Sequence, residues 1–160
     1  MQSTKTEGEF ETMDEIDVKL LEILSRDSSQ TATEITSQIN LSIPAVNKRI
    51  AKLKASGIIE NFTIQINAKQ VDKPVLAFIM VVLNQYSQTD QFQSVIQADP
   101  DIVECNAITG EYDYLLKVYA KDIESLEEKL LKLKSTKGIA KSNTMFSLMQ
   151  HKHLPGPLPD

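Results

Sequence analysis

Lys48, Arg49, Lys52 and Lys54 fall within residues 42–56, a stretch without a single acid and with a net charge of +4. Val46, Ile50 and Leu53 recur there at the three- and four-residue spacing of one helix face. At about 100° of turn per residue, an inward stripe of those three turns Pro44, Ala45, Lys48 and Lys52 outward and leaves Asn47 and Arg49 on the flanks. The residue types suit a DNA major groove: Asn pairs bidentately with adenine, Arg with guanine, and Lys neutralises phosphates. Ser42 and Ala45, at the exposed start, are small enough for the backbone to come close. A plain surface helix with solvated lysines has the same charge, so charge alone favours that blander reading.

The second candidate is Thr109-Gly110-Glu111-Tyr112-Asp113. Gly110 permits a positive φ and close approach of a ligand; N–H groups beside it can hold a carboxylate, and Asp113 can accept an ammonium. Those two poles describe an amino acid. The same five residues also make an ordinary hairpin turn, with Gly for geometry and Asp as turn former. His151-x-His153 lies on an irregular tail without a third ligand, a pattern more typical of solvated histidines than of a metal site.

These residues need elements to hold them. Ile16, Leu20, Leu21, Ile23 and Leu24 mark a first helix, with Asp17, Lys19 and Glu22 pointing elsewhere; Asp14 can cap it, and Thr12 with Glu15 is an alternative capping box. Thr31-x-x-Glu34 opens a second, short helix with Ile35 and Ile39 inside. Asn40 can then take a left-handed backbone, and Leu41 can plug the core. Ser42 is a suitable N-cap for the basic helix, Pro44 fits its first turn, and Gly57 ends it. Three short helices in this order, with a tight turn before the basic one, make a helix-turn-helix whose second member enters the groove. That context outweighs the blander reading.

Ile58 to Asn67 alternates as a strand does, and Lys69 to Lys73 ahead of Pro74 reads as a linker. Beyond it the expected order is a strand (Val75 to Asn84), a helix (Thr89 to Ala98), two strands (Ile102 to Thr109, Tyr112 to Ala120), a helix (Ile123 to Lys134) and a strand (Ile139 to Met149). This βαββαβ pattern is that of a ferredoxin-like sheet with both helices on one face. The other face, with apolar positions of its first and last strands, predicts a partner, most simply a second copy of the chain. The expected class is α+β: residues 1–12 a disordered acidic tail, 13–60 a (winged) helix-turn-helix module, 61–73 strand and linker, 74–150 the ferredoxin-like domain, and 151–160 a tail.

With 160 residues, 41% hydrophobic and 24% charged, the chain has room for two small globular modules and excludes collagen-like, mucin-like or disulfide scaffolds. The net charge of −5 is uneven, since residues 1–15 alone carry −4, so overall acidity does not exclude DNA as a partner. The longest apolar run, Val75 to Leu83, is far shorter than the roughly 20 residues of a membrane-spanning helix. Met1 to Thr12 lacks the basic start and apolar middle of a secretory signal, so cytoplasmic residence without a membrane partner is expected. Cys105, the single cysteine, reads as a small buried hydrophobe, with a reactive thiol as the lesser alternative.

Three stretches resemble the Lrp/AsnC, or feast/famine, transcriptional regulators. They are Met13-Asp-Glu-Ile-Asp-Val-Lys-Leu-Leu-Glu-Ile-Leu24, Leu41-Ser-Ile-Pro-Ala-Val-Asn-Lys-Arg-Ile-Ala-Lys-Leu-Lys-Ala-Ser-Gly-Ile-Ile59 and Thr109-Gly-Glu-Tyr-Asp-Tyr-Leu-Leu116. The resemblance spans about residues 13 to 149 and covers both modules in order. It implies a DNA-binding module joined to a ligand-sensing domain of the type called RAM or Lrp/AsnC ligand-binding, and a homodimer that can assemble to tetramers or octamers. The family usually has Gly where this chain has Asn40. By the same resemblance a small amino-acid effector binds between subunits near the Gly110 loop, with polar residues of the last strand contributing. The implied effector set is Gly110, Tyr112, Asp113, Ser142 and Thr144; the DNA set is Ser42, Pro44, Ala45, Asn47, Lys48, Arg49 and Lys52.

The function expected is therefore a sequence-specific regulator that binds double-stranded DNA and responds to an amino acid, with no cofactor or metal. Two alternatives remain. One is an architectural DNA-binding protein without effector. The other is an acylphosphatase-like enzyme, which would need a phosphate-cradling Arg near Gln85 to Gln88 where none occurs; nor does the sequence hold paired carboxylates or a nucleophile with its base.

Overall fold

In the computed structural model, which describes residues 13–85, 89–136 and 138–159, Asp14 caps the first helix, α1 (Glu15–Arg26). Its carboxylate accepts the N–H of Asp17 at 2.8 Å, and the Asp17 side chain accepts the N–H of Asp14 in return. The reciprocal box satisfies two of the N–H groups that a helix start leaves orphaned. Thr31 and Glu34 do the same for α2 (Ala32–Ile39). Asn40 then takes the left-handed conformation at φ 53°, which its short polar side chain tolerates, and turns the chain into α3 (Ile43–Ala55). Gly57, at φ +77°, closes α3, and the Ile59 N–H returns to the Leu53 carbonyl.

Leu20, Ile23, Leu24, Ile35, Ile39, Val46 and Leu53 are buried together as the core of this trihelical unit. Asp17 departs from the sequence expectation: it points inward and is only 2% exposed. The unit runs to Ile64 and takes in the tail from Lys152, while Gln65–His151 forms a second unit. The acidic tail over residues 1–12, with Thr12 as alternative cap, lies outside the described residues, as do residues 86–88 of the Gln85 to Gln88 loop.

Ile58 to Asn67 forms no strand. Its backbone pairs with no ladder in the chain, so the alternation leaves Phe62, Ile64 and Ile66 exposed, Ile64 by 80%. The expected linker contains a 3-10 turn, Ala68–Val71, ended by Asp72 in the left-handed region.

The second unit has β1 (Val75–Leu83), α4 (Thr89–Ala98), β2 (Ile102–Ala107), β3 (Tyr114–Ala120), α5 (Ile123–Lys134) and β4 (Ile139–Phe146). The strands, each slightly shorter than or equal to the sequence reading, pair antiparallel in the order β2-β3-β1-β4. Ala77, Ile79 and Val81 of β1 and Leu116, Val118 and Ala120 of β3 pack against Phe92 and Ile96 of α4 and Leu126 and Leu133 of α5. Alternation puts Leu76, Phe78, Met80 and Val82 on the other face, in register with Tyr119, Lys117 and Leu115 of β3 and with Met145, Asn143 and Lys141 of β4. On that face Lys117 donates to Glu104 at 2.8 Å.

Cys105 corrects another expectation. It lies on the edge strand β2 and is exposed. Partial burial of the thiol nonetheless pushes its pKa up, which disfavours the reactive thiolate.

Candidate functional site

Helix α3 presents a basic face because its apolar stripe is narrow. Val46 and Leu53 are fully buried and Ile50 half-buried, so most of the circumference meets solvent. Ser42, Pro44, Asn47, Lys48 and Lys52 are exposed, and Ala45 is half-buried beside them. Ser42 occupies the N-cap, but its hydroxyl makes no capping bond, whereas α1, α2 and α5 each close with a reciprocal box. The first N–H groups of α3 thus remain suited to an incoming phosphate oxygen. At the other end, the Lys54 ammonium lies 5.5 Å from the Phe62 ring centroid.

Arg49 is engaged differently from its neighbours. Its Nη1 donates to both carboxylate oxygens of Asp14, at 2.9 and 2.8 Å, and to Asp17 Oδ1 at 2.6 Å. The Asp17 N–H, followed by the Arg49 guanidinium, holds the Asp14 carboxyl below the ordinary aspartate value; Asp17 and Asp14 in turn raise Arg49. Of the seven residues expected at a DNA surface, six share the outward side or start of α3, and Arg49 is tied to α1.

In the sheet unit Gly110 sits at φ +115°, where an L side chain is strained, and a Cβ there would meet open space. The Ile108 N–H donates to the Asp113 carbonyl at 2.9 Å and the Asp113 N–H to the Val81 carbonyl at 2.9 Å. Asp113 Oδ2 accepts the Leu83 N–H, so the carboxylate fastens the loop to β1. One residue not singled out from the sequence joins this loop. Lys141 of β4 pairs with Glu111, and its ammonium lies 4.9 Å from the Tyr112 ring centroid. Glu111 first, then Tyr112, raises the Lys141 pKa.

Ser142 and Thr144 pair with Val81 and Ile79, whose side chains face the helices, so the two hydroxyls lie on the opposite face of β4 from Lys141. Both are half-buried. Ser142 lines an open depression of about 320 Å³ with Lys134, Ile139, Ala140 and Lys141. The five expected effector residues are therefore split: Gly110, Tyr112 and Asp113 share the loop, and the hydroxyls look toward the helix side. Among the described residues no group of three or more His, Cys, Asp or Glu side chains is placed to hold a metal ion, and no helix is long and apolar enough to cross a membrane.

Residues 13–60 match the family model described as winged helix-turn-helix DNA-binding, and residues 76–157 match the Lrp/AsnC ligand binding domain. The chain is 34% identical over 142 residues to the HTH-type transcriptional regulator FL11 of Pyrococcus horikoshii, covering 88% of this chain and 92% of that protein. It is 32% identical over 116 residues to the HTH-type transcriptional regulator LrpC of Bacillus subtilis, covering 72% and 80% respectively. Among solved structures, the transcriptional regulator NMB0573 of Neisseria meningitidis in its L-Met complex is similar with a TM-score of 0.86 at 27% identity, over 90% of this chain and 95% of that one.

Proposed function

The chain belongs to the Lrp/AsnC family of DNA-binding transcriptional regulators and is not an enzyme; from that premise we propose that it reads specific DNA sites with α3 and couples that binding to an amino-acid effector. The outward face of α3 carries the first half. Lys48 and Lys52 meet phosphates, Asn47 reaches a base edge, and Ser42, Pro44 and Ala45 let the helix start approach closely. The open sheet face, with Leu76, Phe78, Met80, Val82 and Met145, is the surface for self-association into a homodimer able to build tetramers or octamers. Two copies of α3 then meet half-sites about one helical turn apart.

The effector half rests on the loop. Gly110, Tyr112 and Asp113 form its near side and Lys141 adds a cation for a carboxylate, whereas Ser142 and Thr144 stand on the helix-side face of β4, away from this loop. The L-Met complex of the Neisseria meningitidis relative supports the amino-acid class. A second reading, an architectural DNA-binding protein without effector, draws on the Asp113 carboxylate being spent on the Leu83 N–H. Selection of bound fragments from random DNA, followed by calorimetric titration with the twenty amino acids, separates these. A palindromic consensus with heat from one amino acid class is expected. Lack of any enriched fragment would sink the DNA reading, and a consensus without amino-acid heat would favour the architectural one.

A further inference from the structure

We propose that Arg49 is a positioning residue of the DNA interface: by clamping α3 into the capping box of α1 it fixes how α3 is presented to the groove, and it reads no base. This rests on the DNA-binding reading of α3. Only Val46 and Leu53 of α3 are fully buried, and they lie almost on one line along the helix. Apolar contact is non-directional, so such a narrow stripe fixes the roll of α3 about its axis poorly. The ion pair supplies the missing direction, because three short bonds converge on one nitrogen from two carboxylates that are themselves locked by the α1 box.

The carboxylates also decide where Arg49 stays. The Asp17 side chain is 3% exposed and that of Arg49 27%. Swinging the guanidinium out to a guanine would leave a buried carboxylate without its cation, a penalty that a base contact must first overcome. Asp17, on the inward flank of α1, meets no surface that DNA can reach. A change at Asp17 therefore tests positioning without touching the interface.

The full chain is used with a fragment enriched from random DNA, at a temperature where far-UV circular dichroism shows every variant folded. Asp17→Asn keeps the side-chain size, removes the charge and leaves one acceptor oxygen where the carboxylate offers two, to the Asp14 N–H and to Arg49. Asp17→Asn and Arg49→Gln should each weaken binding about tenfold, the scale on which members of one close charge network couple. The double variant should bind no worse than the weaker single one. The salt dependence of Arg49→Gln should equal that of the wild type, as should its ranking of base-pair substitutions in the site. If Arg49→Gln does not fold, Arg49→Lys, which keeps the charge and loses the three-way geometry, takes its place with the same expectations.

A lowered melting point with wild-type affinity in the folded variants would show a purely stabilising role and overturn the proposal. So would a shallower salt dependence, or lost discrimination at one base pair, in Arg49→Gln with Asp17→Asn silent. A wild-type chain that enriches no fragment, or a Lys48→Ala variant with undiminished affinity, overturns the DNA reading of α3 itself and this inference with it.

Discussion

Asp113 Oδ2 accepts the backbone N–H of Leu83 at 2.7 Å, so the β2–β3 loop is stapled to the end of β1 by a side chain of the loop itself. Asp113→Ala should lower the stability of the sheet unit by about 1 kcal/mol, the scale of a charged hydrogen bond discounted for exposure. Asp113→Asn retains an acceptor and should stay within about 0.5 kcal/mol of the wild type. Urea denaturation followed by circular dichroism measures both. A loss of effector binding in Asp113→Ala alone therefore reports loop order, and the Asn variant isolates the charge.

Acid should destabilise the sheet unit through Asp101. Burial alone pushes that carboxyl up, but hydrogen bonds and charge from Lys73 and Lys129 outweigh it, and its pKa ends below the ordinary aspartate value. A depressed pKa means that the unfolded chain binds more protons just below about pH 4. The contribution is present above the unfolded value and is lost as pH falls through the folded one. Melting temperatures between pH 6 and 2 should drop less steeply for Asp101→Asn than for the wild type; parallel curves would remove Asp101 from the explanation.

The two units have separate buried cores, one around Leu20 and Val46 and one around Ile79, Phe92 and Leu126. Leu20→Ala removes a fully buried side chain and should cost the trihelical unit about 2–5 kcal/mol. Scanning calorimetry should show one transition moved down and a second, belonging to the sheet unit, left in place. Equal displacement of both would mean that the cores melt as one.

Cys105 should alkylate slowly at neutral pH although it is exposed, because partial burial of the thiol raises its pKa. Mass spectrometry after iodoacetamide treatment should show labelling accelerating only as the solution becomes alkaline. Cys105→Ser should change stability by no more than about 0.5 kcal/mol, as surface substitutions do.

Local signals in the chain were sufficient for the helices. The Thr31 and Glu34 box, the left-handed Asn40 and the Val46, Ile50, Leu53 stripe each depend on neighbours within one or two turns, and all three form as the sequence implies. The residues at the edges of those stripes were harder. Arg49 lies about 60° from Val46 and Asp17 about 60° from Leu20 on their wheels, close enough to the inward side that two opposite charges can meet across the helices. Reading each helix alone leaves Arg49 on a flank facing DNA and turns Asp17 away from the core; reading the two flanks together brings them into one pair.

The sheet unit shows the same division. The unbroken apolar run Val75 to Leu83 forms a strand with one face buried, whereas the alternation of Ile58 to Asn67 finds no ladder, since a strand needs a partner that lies elsewhere. The hydroxyls of Ser142 and Thr144 could be counted on the last strand without register. Their pairing with Val81 and Ile79 turns them toward the helices, and it brings Lys141 to the loop instead. Cys105 sits between Glu104 and Asn106 in a run that also holds Ile102, Val103, Ala107 and Ile108, and membership of an edge strand decides its exposure.

The salt dependence of DNA affinity in Lys48→Ala combined with Lys52→Ala, beside the wild type on one enriched fragment, tests most directly whether α3 is the DNA-binding surface. Each lost phosphate contact should reduce the slope of log affinity against log salt by about 0.9, so affinity should fall and the slope become shallower by roughly two such steps for each chain bound. Affinity and slope both equal to those of the wild type would mean that DNA binds elsewhere on the molecule or not at all.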